Sequence, residues 1–387
     1  MVGLSILLSP TGLGFAQAYA AAAGYNNSLN NIYENNKNTT QPIKNTTQPI
    51  TGCVTYESHT NIINVSCNVN LSEIDKAVNN KNVLEKEPYR VWILNATIKV
   101  NPSATLLINQ TDTSWLKIMN KNNNEPNFIS VSGGKFKIDG VKITSWDPSA
   151  NDVIRQNVNG SIPRPYIIID KGSQSANISN SEVAFLGYSS KEGTNGFLYH
   201  SGGNGSSISN NTFHDMWDGF YSDFVGFITI KNNKYYDNLR YGVDPHSASH
   251  DLNIIGNLVY NNNKIGIICS QDCYNILFSN NTVHDNKLAG LMFSLNTNNS
   301  VAKENNAYNE KVGISVFQSS NDKVYNNLIK SSDTGIFVAG RSSGNHIYNN
   351  TIMNGAVGLY FNPYNNSVNN IYENNNIKNT TQPMKIN

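Results

Sequence analysis

What most constrains this chain is that it repeats. From Ser209 onward the segments SNNTFHD, KNNKYYD, IGNLVYN, SNNTVHD, ENNAYNE, YNNLIKS, YNNTIMN and ENNNIKN bring an Asn to 211, 233, 257, 281, 306, 327, 350 and 375, at intervals of 21 to 25 residues. A glycine ahead of a short apolar run keeps the same beat at Gly196, Gly219, Gly242, Gly266, Gly290, Gly313, Gly335 and Gly358. Two independent marks on one period outrank element-by-element assignment. A period of this length suits a leucine-rich repeat or a parallel β-helix. The Leu-x-x-Leu-x-Leu pattern is missing and no stretch of the repeat region has helical periodicity, so the predicted fold is all-β, a right-handed parallel β-helix with about 23 residues per coil. Residues 85–387 leave room for roughly 13 coils, a rod of about 60 Å at ~4.8 Å between strands.

Asn accounts for 67 of the 387 residues. It disfavours helix interiors, which excludes a mainly helical protein. Stacked copies of its amide bond one another in a ladder, which explains why it recurs at an inward turn. Lys plus Arg number 28 against 27 Asp plus Glu, for a net charge of +1. Without a strong field, neither nucleic acid nor an anionic membrane surface is an expected partner. Beyond the first twenty residues no window carries the roughly 18 apolar residues of a membrane span.

The ends differ from the middle. Residues 1–24 run through Val2, Leu4, Ile6, Leu7 and Leu8 to Ala18-Tyr19-Ala20, which reads as a secretory leader, so the protein is expected to be secreted or to sit in the cell envelope. Residues 25–50 read as an Asn/Thr/Gln-rich linker, and its SLNNIYENNKNTTQP recurs near the other end as SVNNIYENNNIKNTTQP. Residues 51–84 are assigned to an N-terminal cap, in which Ser72-Glu73-Ile74-Asp75 fits a capping box opening a helix of about two turns. Strands are predicted at 90–94, 96–100, 105–108, 128–131 and 135–138. Export would favour a disulfide between Cys53 and Cys67; Cys269 and Cys273 are either a second one or two buried thiols.

Equivalent positions of a β-helix stack, so counting from each repeat glycine shows which residues share a face. Four residues after it come His200, Asp223, His246, Ser270 and Ser294, then Phe317 and Ala339. One residue before it come Asn195, Asp218, Tyr241 and Ile265. Titratable groups therefore gather on a few coils within 196–295, centred on Arg240-Tyr241-Gly242-Val243-Asp244-Pro245-His246. A histidine with carboxylates beside it on an elongated groove is a candidate general base. The alternative is a solvated ladder of mutually satisfied polar side chains.

The run Tyr241-Gly242-Val243-Asp244-Pro245-His246 resembles the signature of the mannuronan C5-epimerases, most of all the periplasmic, calcium-independent branch. The resemblance extends through Phe213-His214-Asp215, Asp218-Gly219-Phe220-Tyr221, Gly266-Ile267-Ile268 and Asp285-Asn286-Lys287-Leu288-Ala289-Gly290, and more faintly through Ile143-Thr144-Ser145-Trp146-Asp147 and Phe185-Leu186-Gly187-Tyr188, covering about 130–360. It implies a β-helix enzyme that turns β-D-mannuronate into α-L-guluronate within alginate.

Inverting C5 of a uronate means removing a proton beside a carboxylate and returning one to the opposite face, so a base and an acid must flank the sugar. His246 is the expected base and Tyr241 the expected acid, with Asp244 and Asp223 orienting the histidine. Asp223, His200, Arg240, Lys264, Ser270, Gln271 and Lys287 are expected to bind substrate. In the enzymes that the chain resembles, an Arg after the Gly-Ile-Ile strand neutralises the carboxylate and an acidic residue follows the His; here those places hold Gln271 and Ser247. Lys264, Lys287 or Arg240 is then expected to supply the charge. The expected function is C5-epimerisation of an acidic polysaccharide by a monomer. A polysaccharide lyase and a non-catalytic, carbohydrate-binding β-helix of the cell surface are the alternatives. No metal-ligand spacing and no phosphate-cradling loop is present, so no cofactor is expected, with calcium bridging substrate carboxylates left open.

Overall fold

A computed structural model of the protein describes residues 52–122, 124–189, 193–363 and 368–386. The leader and linker expected over 1–50 lie outside them.

The chain winds through three sheets of 14, 12 and 14 strands, parallel except for short antiparallel pairs near the N-terminal end, and strand order in each follows the chain coil by coil. Successive coils stack in register: Phe220 pairs with Val243 and Asp223 with His246, and Ser270 pairs with Ser294. The predicted strands appear within a residue of their expected limits, as Val91–Leu94, Thr97–Val100, Thr105–Asn109, Phe128–Ser132 and Lys135–Asp139. Alternation along each strand sends one set of side chains inward. In the first sheet Val243, Ile267, Leu291 and Ile314 join the continuous apolar core. Their neighbours on the opposite face form the outer columns on which the candidate site stands.

Gly219, Gly242, Gly266, Gly290, Gly313, Gly335 and Gly358 form one column, and it is a column that needs glycine. A Cβ on Gly219 would lie 2.4 Å from the Gly242 carbonyl oxygen, and one on Gly266 would lie 2.7 Å from that of Gly290. Gly196 falls out of it. A bulge between Gly196 and Leu198 pairs Gly196 with Asp218, and register is recovered by His200, which pairs with Asp223.

The expected amide ladder is present. Asn211 Nδ2 donates to Asn233 Oδ1 at 3.0 Å, and the same bond links Asn257 to Asn281 at 3.0 Å and Asn327 to Asn350 at 2.9 Å. One rung needs correction. Between Asn281 and Asn327 the rung is Asn305, which accepts from Asn281 and donates to Asn327, whereas Asn306 begins the next strand.

At the N-terminal end an antiparallel hairpin, Val54–Glu57 with Ile62–Val65, precedes the helix Leu71–Val78. The capping box starts at Asn70 rather than Ser72: Asn70 Oδ1 accepts from the Glu73 amide at 2.9 Å and Glu73 Oε2 accepts from the Asn70 amide at 2.8 Å. Ser72 turns instead to the Asp112 carboxylate, its amide donating at 3.1 Å. Both cysteine pairs, Cys53–Cys67 and Cys269–Cys273, are disulfides. Among the described residues no helix is long and apolar enough to cross a membrane.

Candidate active site

The column four residues after the repeat glycine stacks as the spacing predicts: His200 on Asp223, Asp223 on His246, His246 on Ser270, then Ser294 and Phe317. Two residues nearer the glycine, the second outer column carries Tyr221 beside Asp244. The His200 column is thus polar through Ser294 and becomes apolar at Phe317, whereas the Tyr221 column is already apolar at Ile268 and Met292.

His246 sits half-buried at the centre of the polar stretch. Its ring stacks on Tyr221 with centroids 5.6 Å apart, and its Nδ1 lies 2.8 Å from Ser247 Oγ. The Ser247 hydroxyl in turn donates to Gln271 Oε1 in a long contact of 3.5 Å. A serine hydroxyl that donates onward accepts from Nδ1–H, which leaves the Nε2 lone pair free. Burial, with the Arg240 charge behind it, pulls the His246 pKa down from 6.5 to about 4. The imidazole is therefore neutral at neutral pH, the form a general base requires.

The expectation that Asp223 and Asp244 orient this histidine is not met. Asp223 Oδ1 pairs with Nδ1 of His200, 2.8 Å away in the coil before. Asp244 lies on the Arg240 side, where Nη2 donates to Oδ2 at 3.4 Å. Column adjacency gives Asp223 a histidine on each side, and the pairing goes to the more exposed one. Orientation of His246 falls to Ser247 and Gln271, which occupy the very places where the resemblance predicts an acid and an arginine.

Arg240 spends most of its charge on Asp218, a residue absent from the expected site: Nε donates to Oδ1 at 2.8 Å and Nη2 to Oδ2 at 2.5 Å. Asp218 is fully buried and also accepts from Asn195 Nδ2 at 2.8 Å. Burial, followed by the opposing attraction of Arg240 and the repulsion of Asp218, leaves the Asp244 carboxyl well above the usual range. Its Oδ1 is buried with no hydrogen-bond partner in this structure, as is Ser270 Oγ.

Tyr241 is only 4% exposed. Its ring lies under the Arg240 guanidinium at 4.7 Å and the Lys264 ammonium at 5.7 Å. Burial raises the phenols of Tyr241 and Tyr221 above their ordinary value. Lys264 stacks on Arg240 through the backbone, its amide donating to the Arg240 carbonyl at 2.8 Å, and makes no ion pair among the described residues. Burial first, then Arg240, lowers its pKa. Lys287 stands apart. It is exposed and bonds Asn263 Oδ1, and its amide bonds the Asn262 carbonyl while Leu288, the next residue, stacks on Lys264.

The structure thus gathers His246, Asp244, Asp223, His200, Arg240, Tyr241, Lys264, Ser270 and Gln271, and leaves Lys287 outside. It adds Asp218, Tyr221 and Ser247. Asp218 and Tyr221 carried a signal, the first in the Tyr241 column and the second within a segment of the resemblance. Among the described residues no cluster of His, Cys, Asp and Glu forms a metal site.

Comparison with known proteins follows the same lines. A segment of 199 residues is 30% identical to the mannuronan C5-epimerase of Pseudomonas syringae pv. tomato, covering 49% of this chain and 36% of that protein. A segment of 138 residues is 31% identical to the mannuronan C5-epimerase of Pseudomonas fluorescens, covering 33% of this chain and 26% of that protein. The chain therefore spans about a third of the length of these curated relatives. Among solved structures, a double mutant of the periplasmic alginate epimerase AlgG superposes with a TM-score of 0.74 at 25% identity, covering 84% of this chain and 85% of that one. The family profile described as "Right handed beta helix region" matches residues 127–306 and 268–384. With three mainly parallel sheets, in-register coils and an amide ladder all present under that match, the chain belongs to the right-handed β-helix family.

Proposed function

We propose that the protein epimerises uronate units at C5 within an acidic polysaccharide of the mannuronan type. One observation carries this reading: His246 lies half-buried among polar side chains, its ring stacked on Tyr221 and its Nδ1 2.8 Å from Ser247 Oγ. Nε2 takes the C5 proton, and the bonding pair moves toward the uronate carboxylate as an enolate. A proton then returns to C5 from the opposite face. Tyr241 is the donor expected from the sequence, and Tyr221 is the tyrosine in ring contact with His246; Phe variants of each decide between them.

The growing negative charge needs a cation in a partly desolvated site. Arg240 is tied to Asp218 and Asp244, so we assign the role to Lys264. Both disulfides fit an oxidising compartment, and we place the protein in the cell envelope, as the word periplasmic states for the AlgG neighbour.

Incubating the protein with polymannuronate and recording proton NMR spectra tests this directly, through the appearance of guluronate signals. His246→Asn should bind the polymer yet turn over at least about a hundredfold more slowly, the usual scale of a lost general base. An ultraviolet-absorbing unsaturated uronate would identify a lyase instead. Binding with neither product would identify a carbohydrate-binding module.

A further inference from the structure

Where the chain leaves the first sheet, just past the base column, it exposes a short strip of aromatic rings. Phe224 is 48% exposed, Phe227 60% and Tyr274 36%, and they are three of the four exposed aromatic residues among the described ones. His250 completes the strip: Phe227 meets its ring edge-on at 5.4 Å and Tyr274 stacks on it at 4.8 Å. At the other end Phe224 meets His200 edge-on at 6.5 Å.

Neither backbone nor packing accounts for these phenylalanines. Both are left-handed, with φ of 53° at Phe224 and 62° at Phe227. Bulky side chains disfavour that region, and Asn, Asp and Gly tolerate it best. Coil by coil, the position of Phe227 passes to Asp251, Asn275, Asn299, Asn321 and Gly344, each placed by an amide bond to the next coil and each left-handed. Only the coil next to the base column carries Phe there, and it leaves the ring mostly in solvent. Gly226 serves the same strip, because a Cβ on it would lie 2.3 Å from His250 Cε1.

We propose that Phe224, Phe227, His250 and Tyr274 form a platform for pyranose rings of the polyuronate chain, holding sugar units that flank the one being epimerised. This rests on the proposed function and extends it to polymer recognition. A pyranose presents C–H groups on its faces and hydroxyls at its rim. The strip is one ring wide and is bordered by Asp251 and Asn275, polar side chains that suit that rim. A protein partner would call for a broader continuous apolar patch.

The test measures polymannuronate affinity of the full chain by titration calorimetry, with thermal unfolding and size-exclusion runs on the same samples. Replacing Phe224 by Ser and Phe227 by Asn together should weaken binding about tenfold, since ring contacts of this kind are worth on the order of one decade in affinity. The unfolding midpoint should hold or rise, because Asn suits the left-handed position, and Phe227→Tyr should bind like the parent. Parent-like affinity in the double variant overturns the platform while leaving the epimerase reading intact. A changed oligomeric state with affinity retained overturns it in favour of a protein contact. A parent with no affinity for any polyuronate overturns the proposed function, and the platform with it.

Discussion

The depressed basicity of His246 makes a prediction about stability as well as rate. At pH 7 the ring is neutral both in the folded protein and in the unfolded chain. As pH falls through 6.5 the unfolded chain takes up a proton that the folded site resists until about pH 4. The unfolded state then binds more protons, so stability drops across that window, and below pH 4 the loss is complete. The fall from 6.5 to about 4 corresponds to about 3 kcal/mol, trimmed toward about 2 by solvent reaching the half-buried ring. His246→Gln keeps a polar group of similar size and cannot titrate. Urea unfolding at pH 7.5, 6, 5 and 4 should therefore show the variant losing about 2–3 kcal/mol less than the parent between the first and last conditions. The same shift predicts a kcat/KM that stays level from pH 8 down to about 5 before its acid limb. Parallel stability curves for parent and variant, together with an acid limb near 6.5, would refute the argument that burial holds this imidazole neutral.

Two further outcomes follow from neighbouring groups. If Lys264 neutralises the substrate carboxylate, Lys264→Met should lower turnover by at least about a hundredfold, read by NMR on polymannuronate. Gln271→Arg, which breaks the Ser247 contact, should not raise it. Asn238, Asn262 and Asn286 form a second amide ladder, and Glu310 ends it, its Oε1 accepting from Asn286 at 2.8 Å while Oε2 has no partner. Burial, partly offset by the Asn286 hydrogen bonds, holds its pKa up at about 9. The unfolded carboxyl ionises near 4.5, so stability falls as pH rises from there toward 9. Glu310→Gln should remove that dependence and raise the unfolding free energy at pH 8 by about 1–3 kcal/mol.

Translation explains how much of this could be read from the chain. Parallel coils stacked in register repeat one backbone path, so spacing alone placed the glycine column and the His200-to-Phe317 column on their faces. Spacing fails where register breaks, as at the bulge after Gly196; at the Asn305 rung register is unbroken, and two adjacent Asn both fit the repeated segment while strand pairing picks the first. Spacing also fails to say which neighbour a side chain chooses. Asp223 lies between two histidines and takes His200, and Arg240 reaches back one coil to Asp218 rather than serving the groove. Those choices depend on rotamer and burial, which a column count does not contain. The helix start shows the local version of the problem: Ser72 and Asn70 both suit an N-cap, and the proximity of Asp112, forty residues away in sequence, decides it.

The amide ladder has a consequence for how such a chain changes length. Each Asn bonds its copies and a strand carbonyl in the adjoining coils, with no reference to how many coils lie beyond. A whole coil is therefore an exchangeable segment, and in-frame loss or duplication of 22 to 25 residues rejoins like with like, whereas a change of one residue leaves a buried amide without its partner. Tandem duplication of short gene segments is thus a route this architecture tolerates better than point insertion. The chemistry does not share that freedom, because Asp218, Arg240 and His246 come from two adjacent coils. The stack of coils can lengthen or shorten away from that pair while the candidate site is inherited intact.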